Sequence, residues 1–570
     1  MGNSPSTTYV SDWVGECASR FNCNSTGLVD ILGQPTSCLV NSTIQSSHDV
    51  WGVTYEACKA VCGGMVQSVN FSSAVVVLTT WLLPWIALIA QLPFEAGGWM
   101  DLLSACLCVG SPALATYSLA LTAFNRRYIS NQFKQLKERA ATDTQQNYRY
   151  MVERVEKADV VLKETQQCPM RADQRTGELA SLVVLPDRQN FWLIAEKDLK
   201  NTGRGFTYSF LAQTILAFMS YMVSLIVAVD SPQGPDVGLQ FAASSLWIWM
   251  FPIVFGYIRV GSQCKAGAIK EALVDNHIIS QRGVPGGGEV RYQKGLRPDA
   301  NLYPPFDTPT WLGRDVRGDE RLEGPIFNYA RIFTWFAFAD HVRKAFDTSI
   351  YCLRTREPNA PVVPQEVIPP ADPENMTAQD AASCCGLAPS QNLRAFMSWE
   401  DIPSDTIQHI FYAALLALFL QWGTTGAALF VGYYTRPVGL GCRSGSYLIY
   451  GVAATISWLL LVLSQFLSHE VMQQLERNPL QRSPHKTWMA VVTRVVGKAI
   501  AIANAGWLIA LSFIAETGIF KTCLCQSNSF QYHAGAWIVL FKGGGRLGLW
   551  LGGFTFSIVV GLLTAVIFNV

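Results

Sequence analysis

The residues in this chain that could do chemistry fall into three groups. Cys17, Cys23, Cys38, Cys58 and Cys62 crowd the amino-terminal tail, and Cys442, Cys523 and Cys525 stand in short connections near the other end. Eight thiols on one side of a membrane, an even number, predict a disulfide framework, because so short a tail cannot bury enough apolar surface to fold unaided. The close spacings of Cys58 with Cys62 and of Cys523 with Cys525 would also suit redox pairs, but structural bonds account for them more simply. The second group is Asn24, Asn41 and Asn70, each opening an Asn-x-Ser/Thr acceptor for glycosylation in the same tail. The third is a set of neutral polar side chains inside apolar segments, with Gln213, Gln421 and Asn504 foremost and Ser220, Ser224, Thr424, Thr425, Ser457 and Ser464 beside them. Facing one another, Gln213, Gln421 and Asn504 would form a polar membrane track for an uncharged solute; hydrogen bonding between helices is the structural alternative.

Other chemistry is excluded. Glu95, Asp101, Asp230, Asp405 and Glu516 fall at segment ends or turns, and Arg494 and Lys498 open the seventh apolar segment, so no charge is expected in mid-membrane. That argues against a proton-coupled carrier or a voltage sensor. Paired carboxylates in a span, a Ser/His/Asp order with a nucleophile elbow and a zinc helix are all missing from the sequence, so an enzyme is not expected and neither is a cofactor. His409 and His469 have no acidic or cysteine partners at ligand spacing, which argues against a metal. Gly283-Val284-Pro285-Gly286-Gly287-Gly288 lacks the Lys-Ser/Thr ending of a phosphate loop. The turn from Thr435 to Gly441 has a faint likeness to a potassium-channel filter, but Arg436 and Pro437 interrupt its run of carbonyls.

The elements that must position these residues follow from composition. Of 570 residues 50% are hydrophobic and only 15% charged, with a formal net charge of +1. That is no soluble composition, and it offers no basic surface to nucleic acid. The lipid bilayer is the expected partner. Eight uncharged runs are long enough to cross it as helices: Ser73 to Leu92, Leu102 to Phe124, Phe206 to Val229, Leu239 to Val260, Ile407 to Tyr433, Tyr447 to Leu467, Val495 to Ala515 and Leu547 to Phe568. Trp99, Trp247, Trp249, Trp488 and Trp550 mark interfaces. The fold class is therefore an all-α polytopic bundle of seven or eight spans, in a plasma or secretory-pathway membrane.

Orientation comes from Lys and Arg. Residues 125–205 and 261–403, and the connection holding Arg477, Arg482, Lys486 and Arg494, are the basic ones, which places them in the cytosol. Two plain spans before Arg126 would then put residues 1–71 in the cytosol too, against the cysteine and sequon content of the tail. Either 73–124 crosses a net odd number of times, with Pro84, Pro93 and Pro112 permitting a broken or re-entrant element, or it is a plain hairpin with a reduced cytosolic tail. The remaining membrane regions are 206–260 and 404–570.

Within the first cytoplasmic loop, Ile129, Phe133, Leu136 and Ala140, then Tyr148, Met151, Val155, Ala158 and Leu162, recur at three-and-four spacing and predict a helical hairpin. Its apolar face either packs under the membrane domain or meets a cytoplasmic protein partner through 129–162. In the second loop, Pro325 to Phe338 reads as an amphipathic helix at the interface, with Arg343 and Lys344 near headgroups, and Pro358 to Pro373 as an extended linker. Asn375 opens a fourth sequon there, unusable in the cytosol.

The stretches Trp81-Leu82-Leu83-Pro84-Trp85, Gln91-Leu92-Pro93-Phe94, Gly110-Ser111-Pro112-Ala113-Leu114-Ala115-Thr116-Tyr117-Ser118, Gln421-Trp422-Gly423-Thr424-Thr425 and Gly439-Leu440-Gly441-Cys442-Arg443-Ser444-Gly445 resemble a group of uncharacterised multi-pass proteins of filamentous fungi. The resemblance implies a similar architecture with a cysteine-bearing amino-terminal region and carries no activity or site residue. The expected function is a channel or facilitator for a neutral or weakly selected solute; the alternative is a receptor, scaffold or accessory subunit. The oligomeric state is not legible.

Overall fold

The computed structural model describes residues 8–38, 44, 49–69, 75, 82–92, 99–172, 176–186, 189–202, 208–230, 235–260, 269, 296–298, 311–354, 373–387, 393–478, 483–542 and 546–569. Asn41, Asn70, the glycine run at 283–288 and the prolines from Pro358 to Pro370 lie outside the described residues. The longer helices are α1 (Trp99–Gly110), α2 (Pro112–Asp143), α3 (Tyr150–Glu164), α4 (Gln189–Thr202), α5 (Tyr208–Asp230), α6 (Gly238–Arg259), α7 (Asn328–Cys352), α8 (Ser404–Tyr434), α9 (Cys442–Arg477), α10 (Pro484–Glu516) and α11 (Leu547–Phe568).

The all-α class holds. Among the described residues, five helices, α6 and α8 to α11, are long and apolar enough to cross a membrane, or six if the pair α1 and α2, bent by 99°, is taken as one span. The second expected segment is thus no straight span: it breaks at Ser111, between Gly110 and Pro112. Large apolar side chains on α8, Ile407, Phe411, Leu415 and Phe419, stay exposed at four-residue spacing. Such a stripe faces lipid rather than water. By contrast α6 is enclosed, 89% buried, between α8, α11 and α2. This is why Trp247, Trp249 and Trp550 are core residues rather than interfacial ones; Trp550 donates to Thr435 Oγ1 at 3.0 Å, and of the five expected interface tryptophans Trp99 and Trp488 are exposed.

The two ends of the bundle differ. One end collects the turn at 435–441, the connection at 517–542 and the whole described tail. Tail strand Gly52–Thr54 pairs antiparallel with Trp537–Val539 on one edge and with Leu28–Val29 on the other. Four disulfides, Cys17–Cys62, Cys23–Cys38, Cys58–Cys523 and Cys442–Cys525, use all eight expected cysteines. Because α2 runs from the bundle interior to the opposite end, the described tail and the first loop lie on opposite ends of the bundle.

The opposite, basic end carries a helical domain. The far half of α2 packs with α3, α4, Thr176–Val184 and the far half of α7 around Phe133, Leu136, Val155, Trp192 and Phe346. Residues Ile129 to Leu162 therefore form the expected hairpin, and the apolar face that a partner would need is filled by this chain itself. Lys157 pairs with Glu196 at 2.9 Å and Arg126 with Glu164 at 2.8 Å. Although burial opposes it, the ammonium groups of Lys200 and Lys157 hold the Glu196 carboxyl below its ordinary range.

The expected interfacial helix at 325–338 is corrected. Those residues belong to a short turn and to α7, whose first half is buried in the bundle core through Tyr329, Ile332 and Phe333 and whose second half is buried in the basic-end core. Arg343 and Lys344 do not reach for headgroups; both grip Asp340, at 2.8 and 2.7 Å. The composition that suggests an amphipathic surface is a helix wrapped on all sides. A fifth disulfide, Cys352–Cys384, ties its end to the helix Ala378–Cys384. Sequence reasoning missed this bond because the loop had been assigned to a reducing compartment.

Candidate functional site

The break between α1 and α2 lies inside the bundle, where a helix end has no water to satisfy it. Glycine is required at its brink, since a Cβ on Gly110 would stand 1.8 Å from the Ala501 carbonyl oxygen. Pro112 then starts α2 at the one position where its missing N–H is harmless. Neighbouring side chains cap both ends. Asn504 Nδ2 donates to the Gly110 carbonyl at 2.8 Å and to that of Tyr450 at 3.0 Å, while the Tyr450 hydroxyl donates to Val109 at 2.7 Å. Gln421 Oε1 accepts the Ala113 N–H at 3.1 Å, and its Nε2 donates to Gly451 O and Thr455 Oγ1 at 3.0 and 2.8 Å. Two members of the expected polar track thus meet at one collar. Gln213 does not join them; it hydrogen-bonds Gln91.

Removing a cap here leaves a buried carbonyl unpaired. Asn504→Leu is expected to cost about 1–3 kcal/mol, read as a lower thermal midpoint in detergent. An unchanged midpoint would mean that the collar does not hold the break.

Polar cavities flank the collar along α9. Near the disulfide end, a small space of about 40 Å³ is lined by Thr435, Arg436, Gly439, Ser444 and Gln526 among others. Toward the basic end, a smaller one of about 20 Å³ is lined by Tyr329, Phe333, Gln465, Ser468, His469 and Arg494 among others. The α9 residues Ser444 and Ser464, one in each lining, are separated by about 30 Å of helix rise, the thickness of a hydrocarbon core.

Beside the second cavity lies a buried ion cluster built on Arg494 and Lys498, toward the start of α10. Lys498 is 0% and Arg494 2% exposed. Lys498 Nζ lies 2.5 Å from Asp319 Oδ1 and also donates to the Trp311 carbonyl; Arg494 Nε lies 4.0 Å from the same carboxylate. Arg494 donates further to Gly313 O and Asp315 O, both at 2.7 Å, to Val316 O at 3.1 Å and to Ser468 Oγ at 2.6 Å. Tyr329 donates its hydroxyl to Asp319 Oδ2. Burial and the charge on Asp319 push that phenol well above its ordinary value, so it remains a donor. Together these bonds lodge residues 311–322 as a plug against α1, α7, α9 and α10. Gly318, at φ +42°, admits no side chain, because a Cβ would lie 1.7 Å from Arg494 Nη1. The missed signal was Ser483-Pro484: proline at the first helical position starts α10 well before residue 495 and carries Arg494 and Lys498 three and four turns inside.

The remaining candidates are placed simply. Asn24 is exposed on the disulfide-linked tail. Sulfurs of Cys17, Cys58 and Cys62 lie within 4.8 Å of one another, but each is already bonded to another sulfur, which leaves no thiolate for a metal. Arg436, in the filter-like turn, stacks its guanidinium over Trp51 at 4.8 Å, which docks the tail. Comparison with protein families, with curated proteins and with solved structures returns no match.

Proposed function

We propose that this chain is a non-enzymatic integral membrane facilitator that passes a small uncharged solute through the space between α1–α2, α8, α9 and α10. The observation that carries this reading is the pair of polar cavities at opposite ends of α9, separated by a helix break held through exchangeable side-chain bonds. Discontinuous helices of that kind are the usual means by which carriers present polar groups at mid-depth. In this conformation the collar and the plug both close the path. Their internal pairing of charge favours an uncharged permeant. The end with four disulfides is read as exoplasmic, in a plasma or secretory-pathway membrane, and the basic end, which carries Cys352–Cys384, as cytosolic on its Lys and Arg; on that orientation there are seven crossings, with α1 re-entrant.

A receptor or accessory subunit is the competing reading. It draws on α2 and α7, which carry the bundle core directly into the basic-end domain.

Stopped-flow light scattering on proteoliposomes separates the two. Glycerol, erythritol and urea are expected to relax vesicle volume faster with the protein than without it, for at least one of the three. Rates equal to those of empty liposomes for all three would sink the facilitator and leave the receptor.

A further inference from the structure

One short helix touches both the collar and the plug. α1 lies along α10, and the two are fastened at both ends of their contact. Toward the plug, Ser104 Oγ on α1 accepts the indole N–H of Trp311 at 3.1 Å, while Lys498 of α10 donates to the Trp311 carbonyl and lies 4.5 Å from the centre of its ring. At the collar, Asn504 of α10 donates to the Gly110 carbonyl at 2.8 Å, and Tyr450 of α9 donates to that of Val109 at 2.7 Å. Ser104 to Gly110 and Lys498 to Asn504 are six residues in each case, about 9 Å of helix rise. The two fastenings therefore match in spacing on both helices. Ser104 is 1% and Trp311 4% exposed, so the bond between them is sheltered from water.

The two sides of the break differ in how firmly they are held. Ser111, the residue between α1 and α2, is not helical, at φ −141° and ψ 77°. Its hydroxyl donates to Ala454 O at 3.1 Å, and Gln421 accepts from Ala113, so the start of α2 is fixed to α8 and α9. α1 instead turns Trp99 and Leu102 outward, 79% and 51% exposed, and has an open side to move toward. A helix does not bend without breaking its own backbone bonds, so rotation at Ser111 carries α1 as a unit. That rotation lifts Ser104 from Trp311 and turns the Val109 and Gly110 carbonyls out of line with Tyr450 and Asn504, where hydrogen bonds weaken steeply. We infer that α1 is a hinged arm which fastens collar and plug into one gate, so that neither opens without the other. On the facilitator reading, on which its use rests, this arm sets when the path opens.

N-ethylmaleimide labelling of the purified full chain in nanodiscs, in a Cys106→Ala background, tests the arm with no measure of flux. Cys108, 1% exposed on α1, reports the collar, and Leu322→Cys reports the plug, where the native side chain is 5% exposed. Each end is then loosened in turn. Trp311→Phe keeps a ring beside Lys498 but removes the indole donor, and Asn504→Leu removes the cap. For one gate, each variant speeds labelling of both reporters by the same factor, about threefold or more for a lost hydrogen bond. If Trp311→Phe speeds only the plug reporter and Asn504→Leu only Cys108, or if neither variant moves either, the single gate is overturned. Cys168 and Cys385, buried in the basic-end core, stay protected in a local opening and react in global unfolding. Should Trp311→Phe label all four sites, Ser104→Ala deletes the same bond while leaving the indole in place, and the same comparison decides. Reporters that move together, with no solute flux in liposomes, would keep the arm and remove the transport function.

Discussion

Asp319→Ala is expected to destabilise the protein by about 3–5 kcal/mol, because it strands two buried cations rather than removing one interaction. Lys498, fully buried, loses the one carboxylate at hydrogen-bond distance among the described residues, and Arg494 loses the charge 4.0 Å from its Nε. Thermal unfolding of the detergent-purified variant checks this. The decisive comparison is the double variant Asp319→Leu with Lys498→Met. Taking out a buried pair together is often neutral, so the double is expected to recover most of the loss, while Arg494 keeps its bonds to Gly313, Asp315 and Val316. If the double is as unstable as the single, the plug is held by packing and not by the ion cluster. On the facilitator reading, the single variant also raises solute flux by loosening residues 311–322.

The second large effect concerns the tether between tail and bundle. Replacing Cys58 and Cys523 together by serine is expected to cost about 2–5 kcal/mol, the usual loss for a native disulfide in a small exported module. The tail would retain its one strand pairing with Trp537–Val539, its apolar packing on Ile538 and Leu540, and the contacts of Arg436 and Lys542 with Trp51. Cleavage of an engineered protease site after residue 69 gives a sharper readout. In wild type the cut tail stays with the chain on a non-reducing gel and leaves it with dithiothreitol; in the double variant it leaves in either case. Release from wild type without reductant would disprove the bond.

Much of this architecture was legible because its causes are local. Long uncharged runs, prolines at helix starts and an even set of cysteines each act through backbone bonding or thiol chemistry that needs no knowledge of distant neighbours. Pro84, Pro93 and Pro112 each permit a broken element, but the 99° bend falls at Ser111-Pro112 because of what lies opposite: Ala501, Asn504 and Gln421 come from helices hundreds of residues away. The plug was hidden for the same reason. Asp319 is one acid among many in a charged loop, and nothing near it in sequence announces that it neutralises Lys498, 179 residues later. The aromatic run around Phe333 misled in the other direction. A helix buried on two different cores, with Asp340 drawing Arg343 and Lys344 inward, carries the same residue types as one lying on a membrane surface.

The pairing of Gly52–Thr54 with Trp537–Val539, locked by Cys58 and Cys523, has a consequence for how the chain is made. The two cysteines are separated by 465 residues, about half a minute to a minute and a half of translation at ordinary ribosomal speed. Throughout that interval Cys58 is already synthesised while its partner is not, and Cys17 and Cys62 lie beside it as ready competitors. The amino-terminal module therefore cannot mature as an independent early unit. Its last bond is a record that the penultimate loop has arrived on the same side, which makes oxidation of Cys58 a checkpoint on insertion of the entire membrane domain.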